Sequence, residues 1–321
     1  MKLLDAPRLR YTVALRPALG STFQPTGFPD LGAAKFDYFD ADGQPQEALL
    51  VESVQSMANR LEATAWDAAA QQPVPLLAAL PHVRVHRAGA PEEFLTSSRL
   101  EAHRLASAFV RDSTLDGTKM LQVIKDRLGL AKDTPLDRTA MARALLGLDP
   151  FCLLHGVFFS HKEWIGQPRF PRAISAVIEA YDVRQAVSGG RKSDHVRHQL
   201  DKDGNGGGTS EGYGSIPFHR IEWTARQIKA MFSIDVELLR SYGLDDHTTE
   251  LLATIAVWEI RSLLSRGLRL RTACDLDLTD TLPASLPPLD ELEERINTLL
   301  PSATDLTGAT GPLTVLWNGK N

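Results

Sequence analysis

Cysteine is scarce: Cys152 and Cys274 are the only two in 321 residues. Two thiols so far apart exclude a disulfide framework, and a structural zinc site needs four clustered ligands. No apolar run approaches the ~20 residues that span a bilayer, so no membrane partner is expected. Met1 to Tyr11 carries Asp5, Arg8 and Arg10 with no apolar stretch behind them. That is unlike a signal peptide, and a cytoplasmic location is the expectation. No internal repeat marks a solenoid. There is no Gly-x-Ser-x-Gly elbow, and Gly189-Gly190-Arg191-Lys192-Ser193 lacks the spacing of a phosphate-binding P-loop. Asp201-Lys202-Asp203-Gly204 opens like a calcium loop, but the twelfth position, where a bidentate acid belongs, is Gly212. Neither a metal nor a cofactor is expected, and no catalytic residue is assigned.

Positive charge is not in excess either. The net charge is −5, whereas nucleic-acid binders are usually basic. The acidity is local, however. Residues 273–321 hold eight acids against two bases, which leaves 32 acids and 33 bases in the rest of the chain. The body is free to carry a basic stripe, and 277–321 reads as an acidic C-terminal extension. With 43% apolar and 23% charged residues the chain is an ordinary globular one. Its length suits two domains or one domain with large insertions.

Leu9, Tyr11, Val13 and Leu15 alternate with Arg8, Arg10, Thr12 and Arg16, the period of a strand. Gly20 to Asp30 is a Gly- and Pro-dense loop. Residues 49–66 place Leu50, Val54, Met57, Leu61 and Ala65 on one helical face. Proline-rich 71–91 reads as irregular, and helices follow near 98–109, 117–128 and 138–147, so 71–150 is expected to be a helical insertion. Leu153 to Phe159 reads as a buried strand, and Ile174 to Val183 suits either element. Residues 227–238 alternate as a strand, 248–266 form a helix buried all round, and 268–271 alternate again. A charged helix near 289–300 and a strand at 313–317 complete the chain. The fold class is α+β, an antiparallel sheet with helices on one face.

Residues 188–216 are dense in glycine, which in a compact protein marks either a solvated loop or a functional one. From Arg184 to Lys229 there are eight bases and five acids. Glycine lets backbone N–H groups approach phosphates, and Arg or Lys neutralises them. Tyr213, Phe218 and His219 add planar groups on which bases stack. His195, His198 and His219 offer an alternative, a general acid/base set for cleaving RNA.

Several stretches together resemble one family. They are Gly20–Ala34, Glu52–Glu62, Leu100–Leu105, His155–Phe159, Arg169–Ala173, Ser188–Lys192, Gly212–Arg220 and Arg266–Thr272. They are similar to the backbone subunit of type I-G (formerly I-U) CRISPR effector complexes (Cascade), a branch of the RAMP superfamily. The resemblance runs from about residue 8 to 276 and leaves out the tail. It implies one RAMP-type domain over 1–321, with a ferredoxin-like (RRM-like) palm and a glycine-rich thumb hairpin at 185–220. It implies that copies stack in a helical filament along a guide RNA and present its bases to a target DNA strand. The further partners it implies are a guide-end capping subunit and a large subunit, in a particle for antiviral defence whose nuclease is a separate protein. A backbone subunit must grip phosphate and sugar whatever the sequence. The residues expected to do so are Arg16, Ser21, Gln24, Asn59, Arg60, Arg169, Arg172, Ser188, Gly189, Gly190, Arg191, Lys192 and Arg220, with Phe23 and Tyr213 as wedges or stacking groups.

Overall fold

The alternation at Arg8–Pro17 does make a strand, with Tyr11, Val13 and Leu15 buried and Arg8, Arg10 and Arg16 outside. In the computed structural model the chain is α+β, and residues 3–28, 30–192, 216–306 and 311–319 are described. In chain order the longer elements are β1 (Arg8–Pro17), β2 (Lys35–Phe39), β3 (Pro45–Glu52), α1 (Val54–Thr64), β4 (His82–Arg87), β5 (Ala90–Ser97), α2 (Met120–Arg127), α3 (Arg138–Leu146), β6 (Ile174–Lys192), β7 (Ile216–Asp235), α4 (Asp246–Ser265), β8 (Leu268–Arg271), β9 (Cys274–Leu278), α5 (Leu289–Leu299) and β10 (Pro312–Trp317).

The large sheet has the order β8-β9-β1-β7-β6-β3-β2, and every neighbouring pair is antiparallel. Four of its strands form a core, β9-β1-β7-β6. The chain passes from β1 to β6 by way of α1, and from β7 to β9 by way of α4. The two helices touch each other, α1 packs on β6 and α4 on β7, so both cover one face. On α4, Leu251, Leu252, Ile255, Trp258, Ile260 and Leu263 are all buried, each worth about 1.5–3 kcal/mol of apolar transfer. Asp245 caps this helix by accepting from the Thr248 N–H, and Gly267 at φ +77° follows its last turn. A second sheet is built on β10, which lies parallel to β4, while β5 pairs antiparallel with β4 at the edge.

Several expectations need correction. The helix expected at 49–66 begins only at Val54, because Ser53 caps it and β3 pairs with β6 through Glu52. Residues 71–91, expected to be irregular, contain β4. Pro73, Pro75 and Pro81 all precede that strand, and Pro91 falls in edge strand β5, where a missing N–H is tolerated. Residues 98–109 hold only a turn of 3-10 helix at Arg104–Ala106 and the start of a five-residue helix. The segment 71–150 is therefore not purely helical. Leu153–Phe159 is the end of a short helix, Phe151–Leu154, followed by a two-residue strand. Val236–Leu238, expected to end a strand, instead turns into a short helix capped by Asp235. Ile174–Val183 is strand. No helix among the described residues is long and apolar enough to cross a membrane.

The β6/β7 hairpin keeps one register from Ile174 opposite Ile234 to Lys192 opposite Ile216. β1 accompanies β7 only from Ile228 onward, and β3 accompanies β6 only as far as Tyr181. Residues 183–192 and 216–225 therefore leave the sheet as a two-stranded ribbon, roughly 30 Å long at ~3.3 Å per residue. Asp182, at the point of departure, stands at φ +53° and accepts a 2.6 Å bond from the Tyr38 hydroxyl.

Candidate nucleic-acid interface

The ribbon carries apolar side chains with nothing over them: Val187 is 85% exposed and Phe218 50%. The same two strands carry Arg184, Arg191 and Arg220, of which Arg220 lies between Val187 and Phe218 in the register. The Phe218 ring lies 3.4 Å from where a Cβ on Gly190 would stand, and the Arg220 guanidinium is 5.8 Å from that ring. At the ribbon root, Phe23 and Trp223 form an isolated antiparallel bridge with N–H···O distances of 2.9 and 3.0 Å. Beside it, Glu222 accepts from the Thr22 hydroxyl at 2.7 Å and from Arg220 at 2.6 Å. Those bonds, the Thr22 bond first, hold the Glu222 carboxyl below its ordinary pKa.

This root and the loop after β1 enclose an opening of about 760 Å³. Its walls include Phe28, Leu31, Trp223 and His219, with Lys35 and Arg220 as cations. Lys35 sits 5.3 Å above the Trp223 ring and bonds Glu47 at 2.7 Å. Gly27 is required here, because a Cβ on it would come within 2.2 Å of the Gly32 carbonyl oxygen. Planar and aliphatic walls with cations at the rim suit a stacked base and its phosphate.

A second cleft, of about 490 Å³, opens beside the start of α1. It is lined by Gln55, His103, Arg104, Arg169 and Arg172, with Phe158 at its mouth. Its lining also includes His155, whose Nε2 is 2.9 Å from a Glu259 carboxylate oxygen, both side chains being buried. Burial pulls His155 down to about 4 and pushes Glu259 up to about 8, so the pair is neutral and shares one proton.

The expected contact residues are not all in one place. Gln24 and Arg220 line the first opening, and Arg169 and Arg172 line the second. Ser188, Gly189, Gly190 and Arg191 belong to the ribbon, as does Lys192 in its backbone pairing. Arg16 and Ser21 are exposed, with Arg16 opposite Asp277 in the strand register, and Asn59 is exposed on α1. Two expectations are corrected. Phe23 is wholly buried and has no face free for a base. Arg60 is turned inward, donating to the Leu270 carbonyl at 2.6 Å and pairing with buried Glu52 at 3.3 Å. Tyr213, His195, His198 and the 201–212 loop lie outside the described residues. Phe28, Lys35, Trp223 and Arg104 were not singled out beforehand. Gly20–Ala34 flagged the loop holding Phe28 and Leu100–Leu105 the segment holding Arg104, but nothing in local spacing marks Lys35 or Trp223. Burial pushes the Cys152 thiol up, which makes it a poor nucleophile. Among the described residues no three His, Cys, Asp or Glu side chains gather as metal ligands.

The chain is similar to Csc2 of Thermofilum pendens at 11% identity and a TM-score of 0.33, covering 92% of this chain and 74% of that one. It is also similar to a chain of a CRISPR RNA-guided surveillance complex in a pre-nicking state, at 12% identity and a TM-score of 0.36, covering 80% of this chain and 68% of that one. No curated protein matches it. A family model does, over residues 9–185, from the first residues of β1 into the ribbon. That span exceeds half of the chain, and the protein belongs to the family of CRISPR-associated protein GSU0053.

Proposed function

We propose that the protein is the non-catalytic backbone subunit of a type I-G CRISPR effector, a sleeve that holds guide RNA by its phosphate-sugar chain. The strand order β9-β1-β7-β6 with two helical crossovers supports reading the palm as ferredoxin-like, and the ribbon as its thumb. The observation that carries the function is the ribbon itself. A two-stranded arm with solvent-exposed Val187, Phe218 and Ile221 beside Arg184 and Arg220 has no use in an isolated chain. Laid on a single strand, such an arm supplies stacking faces and cations that discriminate little between bases.

Copies would meet head to tail, a heterologous contact that does not close, so the RNA sets the length. The bases left outward would pair with a target DNA strand, and the capping and large subunits would bind the ends and flank. His219 lies in the wall of the first opening, where it serves as a planar contact.

Fluorescence anisotropy with two oligoribonucleotides of unrelated sequence tests this reading. The pair Arg191→Ala and Lys192→Ala weakens both to the same degree and flattens the salt dependence, by about 0.7 in the log–log slope for each lost contact. Loss confined to one sequence sinks the reading. Guide-repeat RNA stays intact with the wild type. Site-specific cleavage abolished by His219→Ala would establish the endoribonuclease alternative.

A further inference from the structure

Glu222 is the one acid in the two segments of the ribbon, 183–192 and 216–225, which together carry Arg184, Arg191, Lys192 and Arg220. The fold also buries it, at 4% exposed. By charge alone a carboxylate here opposes any polyanion that the arginines attract. Its place on this arm therefore calls for another cause.

The cause lies in what the carboxylate touches. Strand alternation sets Phe218, Arg220 and Glu222 on one face of the ribbon, opposite Gly190, Ser188 and Ala186 in the register. Glu222 accepts from the Arg220 Nε at 2.6 Å, from the Thr22 hydroxyl at 2.7 Å and from the Ser188 hydroxyl. Three segments meet on it: the loop after β1, β6 and β7. One residue on, in both the loop and β7, the Phe23–Trp223 bridge holds the same junction by backbone. Thr22 and Ser188 are neutral donors, so they fix the carboxylate without cancelling its charge, which is left for Arg220. That bond engages Nε rather than the two terminal nitrogens, a pair that can grip phosphate oxygens as a fork. An arginine without such an anchor samples many rotamers, and fixing it at the moment of binding costs entropy.

We propose that Glu222 is a positioning residue. Held by Thr22 and Ser188, it fixes the Arg220 guanidinium at the wall of the first opening before a ligand arrives, and the ordering entropy thereby avoided outweighs the repulsion that its charge brings. That the ligand is RNA rests on the RNA-holding reading above; the ordering of Arg220 by Glu222 does not.

The test uses the full chain, with a labelled oligouridylate read by anisotropy and the Arg220 Nε–H group read by NMR. Charge alone predicts that Glu222→Gln, which removes a negative charge at nearly constant volume, binds oligouridylate more tightly. Positioning predicts the reverse, binding weakened about tenfold, with no further weakening when the same substitution is made in Arg220→Gln. The Arg220 Nε proton, bonded to a carboxylate, exchanges slowly with water in the wild type and about tenfold faster in Glu222→Gln, with or without RNA. Thr22→Val, which removes only a hydroxyl bond, weakens binding about threefold and speeds that exchange, so both readings survive if Glu222→Gln does not fold. Binding by Glu222→Gln as tight as the wild type or tighter overturns the proposal. So does an equal loss in the Arg220→Gln background, which marks a general effect on the fold, and so does an Nε–H signal that neither variant alters. The expected exchange with no oligouridylate binding by the wild type overturns the RNA-holding reading and leaves the ordering of Arg220 by Glu222 standing.

Discussion

Phe23 and Trp223 exchange two backbone hydrogen bonds, 2.9 and 3.0 Å, and so fasten the loop after β1 to the root of the ribbon. The Phe23 ring is buried under that fastening, while Phe28, five residues on, is 70% exposed in the same loop. The two phenylalanines therefore separate stability from contact. Phe23→Ala should cost about 3–5 kcal/mol in urea denaturation, transfer and cavity together. Phe28→Ala should leave stability within about 0.5 kcal/mol and weaken RNA binding several-fold. An exchange of those two outcomes would mean that the loop is held by Phe28 and that the opening is not a binding surface.

How much of this was legible depends on how local each signal is. β1, β8 and α4 were readable because their periods run unbroken: Tyr11, Val13 and Leu15 alternate, and the α4 apolar residues recur on every side. β4 was hidden by its prolines, which lie before the strand rather than in it. The parallel pairing of β10 with β4 had no local signal, because it joins Pro312 to His82 across the chain. The site divides the same way. Arg169 and Arg172 are close in sequence and meet in one cleft. Arg104 joins them only through the contact with Glu62 and a left-handed backbone that no composition marks. Gly- and Pro-dense composition located the loop holding Phe23 but carried no information on which of its aromatics faces inward.

Glu52 is the second place where contact and stability part. Its carboxylate, 3% exposed, bonds Arg271 at 2.5 Å and Arg60 at 3.3 Å. Arg271 also donates to the Gln24 and Val51 carbonyls, at 3.0 and 2.9 Å, tying β8 to the loop and to β3. Glu52→Ala leaves two partly buried guanidinium groups facing each other and should cost about 3 kcal/mol. Asn59→Ala, exposed on the neighbouring turn of α1, should change stability by less than about 0.5 kcal/mol. Equal melting temperatures for wild type and Glu52→Ala would show that the pair contributes nothing net.

The buried His155–Glu259 pair fixes a pH dependence of folding. Unfolded, the histidine titrates near 6.5 and the glutamate near 4.5; folded, burial moves them to about 4 and about 8. Between pH 4.5 and 6.5 each state holds one proton, on histidine when unfolded and on glutamate when folded, so the pair adds no slope. Above pH 6.5 the unfolded chain loses its proton while the folded one keeps it up to about pH 8. Stability then falls with rising pH, by about 1.4 kcal/mol per pH unit or ~2 kcal/mol over the window. In Glu259→Gln that alkaline loss disappears. The remaining histidine, still depressed by burial, instead makes the variant lose stability as pH falls below 6.5. Between pH 5.5 and pH 8 the urea midpoint should therefore fall for the wild type and rise for Glu259→Gln. A Glu259→Gln protein whose denaturation midpoint moves with pH as the wild type does would show that the alkaline loss of stability does not come from this pair.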